Sequence, residues 1–77
     1  MSKELVEKLS YLDILISKKS TGTPKELAFK LRVSERGLYN YINLLKDLGA
    51  PIKYCRIRNS YYYTSKGFFY FKFKYSD

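Results

Sequence analysis

The chain has no histidine and only one cysteine, Cys55, and these two shortages remove several chemistries at once. Imidazole-based catalysis and histidine metal ligation are excluded. A single cysteine allows neither an intrachain disulfide nor a zinc cluster, and no pair of acids stands at metal-ligand spacing. A solitary thiol fits a reducing compartment better than a reactive centre. No apolar run approaches the ~18 residues that a membrane span needs. Met1 leads into a charged amphipathic segment rather than a signal peptide, so a cytoplasmic location without membrane contact is expected. Tyrosine nucleophiles need an activating arginine and an acid–base cluster, and nothing marks one out. The chain therefore reads as a non-enzyme that implies no cofactor and no metal. Acid is also scarce, and unevenly so. Residues 1–47 hold nine basic and six acidic groups, whereas residues 48–76 hold six basic groups and no acid.

What the chain does have is a small folded unit with strong positive charge. Its 77 residues make one domain, and a domain this short buries only about 60% of its extended surface, so its function belongs on the outside. Hydrophobic residues at 45% argue for a core rather than a disordered basic tail. Fifteen Lys and Arg against seven Asp and Glu give a net charge of +8. Such a balance suits a polyanionic partner, nucleic acid first.

The pattern changes from helical to β-type near Gly49-Ala50-Pro51 without a linker, which predicts one α+β domain over residues 1–77. Leu5, Leu9, Leu12, Leu15 and Ile16 recur at helical spacing and predict a first helix over about residues 3–17. Thr23-Pro24-Lys25-Glu26 reads as a capping box with proline at the first helical position, opening a short helix over residues 24–31 whose Leu27, Ala28 and Leu31 face inward. Ser34 caps a third helix over residues 35–48, ended by Gly49 and Pro51. Its inward side carries Leu38, Tyr41, Ile42, Leu45 and Leu48, and its outward side Arg36, Tyr39, Asn40 and Asn43. Only Arg32 and Val33 lie between the second helix and the Ser34 cap, and so short a connection forces a sharp crossing of helix-turn-helix type. Strands are expected over residues 52–57 and 61–64, joined by the tip Arg58-Asn59-Ser60. A further strand over residues 68–75 alternates Phe69, Phe71, Phe73 and Tyr75 with Phe68, Tyr70, Lys72 and Lys74.

This order, with Pro24-Lys25-Glu26-Leu27-Ala28, Leu31, Val33-Ser34, Arg36, Leu38-Tyr39, Ile42, Leu45, Leu48-Gly49, Pro51-Ile52 and Tyr61, resembles the winged helix-turn-helix domain at the N-terminus of DeoR-like and WYL-domain transcription factors. The resemblance runs from about Leu5 to Thr64. It implies three helices, a hairpin wing and duplex DNA as partner. Where that family usually carries Thr or Ser the chain has Gly37, and in place of an Arg-Asp pair it has Asn40-Tyr41.

On this reading the third helix enters the major groove. Arg36 is suited to guanine O6 and N7, and Asn40 or Asn43 to adenine N6 and N7. Tyr39 lies on the same side, and Gly37 belongs to the capped helix start. Thr23, Lys25 and Ser34 stand at helix starts and would hold phosphates. Arg56, Arg58 and Asn59 on the wing would meet the backbone or the adjacent minor groove. The expected function is that of a small sequence-specific transcriptional regulator. The aromatic strand at residues 68–75 is too apolar to remain an uncovered edge, and it either packs on the first helix or pairs two chains into a homodimer. The rival reading is a winged-helix protein–protein interaction module that docks through the third helix or that strand.

Overall fold

The computed structural model describes residues 3–65 and 67. Three helices, α1 (Lys3–Ser17), α2 (Pro24–Leu31) and α3 (Glu35–Asp47), precede an antiparallel hairpin of β1 (Ile52–Cys55) and β2 (Ser60–Tyr63). α1 packs on α2 and β2, and α2 packs on α3. The architecture is α+β with a winged helix-turn-helix order. The expected strand at residues 68–75, and the dimer contact expected of it, lie outside the described residues.

Each helix contributes one apolar stripe to a common core. Leu9, Leu12 and Ile16 come from α1, Leu27, Ala28 and Leu31 from α2, and Leu38, Ile42 and Leu45 from α3; Ala50, Ile52 and Tyr61 close it from the wing. These spacings place the side chains within one arc of each helix and drive the three together. Leu5, Leu15 and Tyr41 pack at the rim rather than inside.

The ends of the helices are made by specific caps. Thr23 Oγ1 accepts from the Glu26 N–H at 3.2 Å while Glu26 Oε1 accepts from the Thr23 N–H at 3.0 Å, the reciprocal pair expected of a capping box. α3 ends with Gly49 in the left-handed region at φ 102, with Ala50 N–H bonded to Leu45 O and Gly49 N–H to Lys46 O. That is a Schellman closure, and it brings Ala50 onto Leu45 in the core. Leu48 does not face inward as helical spacing suggested. It is the C-cap, one residue past the helix, and is 56% exposed because the chain is already turning toward the wing.

The hairpin is shorter than its β-rich sequence suggested. β1 stops at Cys55, a turn occupies residues 56–59, and β2 begins at Ser60. The register pairs Ile52 with Tyr63, Lys53 with Tyr62, Tyr54 with Tyr61 and Cys55 with Ser60. Ser60, placed at the tip by the sequence pattern, is fully buried instead. Its hydroxyl accepts from the Thr21 N–H at 3.1 Å and donates to Tyr61 O at 2.8 Å, and Thr21 Oγ1 accepts from the Tyr61 N–H at 2.8 Å. This polar knot ties the α1–α2 loop to the first residues of β2. It satisfies groups whose burial without partners would be costly, which is why strand pairing starts at Ser60. On the other side of β2, the Tyr63 hydroxyl donates to Asp13 Oδ1 of α1. Burial, then that bond, pushes the Tyr63 phenol above its ordinary range.

Candidate nucleic-acid interface

α3 begins at Ser34, whose Oγ accepts from the Gly37 N–H at 3.0 Å, and Leu38 N–H bonds to Ser34 O. The amides of Glu35 and Arg36 have no carbonyl one turn back, and they lie at the exposed helix start with the positive end of the helix dipole. Arg36, Tyr39, Asn40 and Asn43 follow at intervals of three and four residues, within about 100° of arc on one side of the helix. Arg36, Asn40 and Asn43 are exposed, and Tyr39 is 46% exposed. No described part of the chain covers this side, and it lies opposite Leu38, Ile42 and Leu45.

Gly37 sits inside the first turn of α3, half-buried. A Cβ there would come 3.3 Å from Ser34 Oγ and 3.4 Å from Val33 Cβ, so the cap and the turn press closely on this position. Its N–H is taken by the cap and is not open to a phosphate. At α2 the Thr23 N–H is likewise taken, by Glu26 Oε1, while the Thr23 hydroxyl oxygen accepts from the Glu26 N–H. The Thr23 backbone N–H, then its hydroxyl, holds the Glu26 carboxyl below the usual carboxylate range. Thr23 and Ser34 cap their helices through their hydroxyl oxygens, and each hydroxyl keeps its own O–H to donate. Lys25 is exposed on the first turn of α2 and lines a groove of 550 Å³ with Ala28, Phe29, Val33 and Glu35.

The turn that sets α3 against α2 contains a residue the sequence pattern did not single out. Arg32 adopts φ 58, ψ 43, with its N–H and that of Val33 bonded back to Phe29 O and Ala28 O. This closure requires a left-handed residue, and the connection contains no glycine. β-branched Val33 is the worse candidate for that region, so the duty falls on Arg32. Its side chain is exposed beside the start of α3.

The wing carries Arg56, Arg58 and Asn59 on its exposed turn, with Asn59 left-handed at φ 51. Tyr54 and Tyr61 meet edge to face with ring centroids 5.0 Å apart, which stiffens the hairpin over the core. Burial first, then the Tyr39 and Tyr54 phenols, pushes Tyr61 up to about 12.

Charge counting alone overstated the cations available to a partner. Lys8 Nζ donates to Leu31 O at 2.9 Å, and Lys30 Nζ donates to Ser20 O and Thr21 O at 3.1 and 3.2 Å. Both lysines hold carbonyls of the chain itself. No described helix is long and apolar enough to cross a membrane.

A short capped helix, a tight left-handed turn, a helix with an uncovered polar side and a hairpin behind it define a helix-turn-helix domain with a wing. A family model described as an HTH domain matches residues 4–57, from the first turn of α1 to the tip of the wing. The chain belongs to this family of helix-turn-helix DNA-binding domains, consistent with the DeoR-like and WYL-regulator type that its sequence resembles. No curated protein and no solved structure matches it significantly.

Proposed function

We propose that this chain is a cytoplasmic transcriptional regulator that binds duplex DNA in a sequence-specific way, with α3 in the major groove and the wing on the flanking backbone. The observation that carries the reading is the outward side of α3, where Arg36, Asn40 and Asn43 stand exposed on a helix whose opposite side is buried. Arg36 offers a two-pronged donor for guanine, and the two asparagine amides pair donor with acceptor as adenine requires. Lys25, Arg56 and Arg58 add charge at the edges, where phosphates lie on either side of a groove. Thr23, Ser34 and Gly37 set the position and angle of the reading helix through their caps, and Tyr39 flanks it toward the wing. Asn59 shapes the wing turn. We further propose a homodimer, since helix-turn-helix dimers place two reading helices about one duplex turn apart and gain selectivity from the pair.

Duplexes selected by the protein from a random pool provide the test. Arg36→Ala is expected to weaken binding to them by about tenfold to a hundredfold and to relax the choice of base at one position, because a bidentate arginine–guanine pair is worth about 1–3 kcal/mol. The residue is exposed, so the fold should keep its melting temperature. If the protein instead docks α3 on another protein, no duplex is selected and the substitution has no duplex binding to weaken.

A further inference from the structure

The wing tip contains a side chain that neither the core nor the charge pattern accounts for. Ile57 is 95% exposed, more than any other large apolar side chain among the described residues. It stands in the turn between two exposed arginines, Arg56 and Arg58. A lone isoleucine on a surface is ordinary. This one is held out at the end of a hairpin whose base is fixed. Ser60 is tied to Thr21 immediately behind the turn, Tyr54 is packed edge to face on Tyr61, and left-handed Asn59 closes the loop. These contacts fix the hairpin on either side of the turn that carries Ile57.

We propose that Ile57 is an apolar wedge which the wing presses into the minor groove, at base steps that lack the guanine 2-amino group, with Arg56 and Arg58 on the phosphates at either side. The inference rests on the duplex-binding reading above and names the groove and the step that the wing selects. Three physical facts favour it. A β-branched side chain has few rotamers to lose when it is clamped. A minor groove free of the 2-amino group is open on its floor, and where it is narrow its negative potential draws arginine. Apolar side chains of this size enter that groove by partly unstacking a flexible step, a deformation that flanking cations help to offset.

Three polymers isolate the groove involved: poly(dA–dT), poly(dG–dC) and poly(dI–dC). Inosine presents the major-groove edge of guanine but lacks its 2-amino group. The protein is expected to bind poly(dI–dC) and poly(dA–dT) more tightly than poly(dG–dC). Ile57→Ala should lose about tenfold on the first two, with the melting temperature unchanged, since the methyl groups removed contact almost nothing in the free protein. Ile57→Leu should restore most of the loss. The salt dependence of binding should be the same for Ile57→Ala as for the parent, whereas Arg56→Ala should flatten it. An Ile57→Ala protein that binds all three polymers as the parent does overturns the wedge and leaves duplex binding standing. So does a parent that ranks poly(dI–dC) with poly(dG–dC). Failure of the parent to bind any polymer at low salt overturns the duplex-binding reading, and the wedge with it.

Discussion

Raising the salt concentration fourfold, from about 50 to about 200 mM, should weaken duplex binding by roughly 150-fold per chain, on the estimate that four cations each displace about 0.9 of a condensed counterion. The four are Lys25 on α2, Arg36 on α3, and Arg56 and Arg58 on the wing, all exposed. Lys8 and Lys30 are left out of this sum because they are bonded to backbone carbonyls of the chain itself. The formal charge of +8 would by itself suggest a steeper dependence. Electrophoretic titration of one duplex across this range gives the slope directly. A slope near zero would mean that the basic residues do not face the DNA. A slope about twice the expected one is the result for two chains bound side by side.

A second large effect is expected away from the interface. Thr21→Val should destabilise the fold by roughly 2 kcal/mol and lower Tm by about 10 °C. Valine has nearly the shape of threonine, so no cavity opens and the loss comes from hydrogen bonding alone. The Tyr61 N–H loses its acceptor at a site where Thr21 and Ser60 are both fully buried. A domain of this length has only about 4–12 kcal/mol of total stability, so the loss is a substantial share of it. Thermal unfolding followed by circular dichroism checks the effect. A Tm equal to that of the parent would show that the knot between the α1–α2 loop and β2 contributes nothing net. The same substitution should loosen the wing, because the knot is one of the ties to the helices behind it, beside the Tyr63–Asp13 bond and the core packing of Ile52 and Tyr61.

The helices were legible in the sequence because their signals are local. Capping by Thr23 and Ser34, proline at position 24 and glycine at position 49 act within a few residues, and the apolar spacing of α1 and α3 follows from helix geometry. The position of Ser60 was missed because it depends on a distant partner. Ser60 looks like a turn residue until Thr21, remote in sequence, is brought against it by the packing of α1 on β2. Once Ser60 is buried, the turn must fall earlier, and Ile57 leaves the strand for the tip. Leu48 obeys helical spacing but stands where the helix has already ended. Arg32 could have been found by noting that a two-residue gap without glycine must still supply one left-handed residue. The outward residues of α3 were readable from the same periodicity that places its core. By contrast, which lysines remain free for a partner depends on the folded contacts of Lys8 and Lys30, and no composition count contains that.

The central claim is that DNA meets the outward side of α3. Nuclear magnetic resonance of the labelled chain, titrated with a selected duplex, tests it at the level of single amides. The signals of Arg36, Gly37, Tyr39, Asn40 and Asn43 should shift together, with those of Arg56 to Asn59 on the wing, while α1 stays where it is. Shifts confined to α1, with α3 unmoved, would contradict the account.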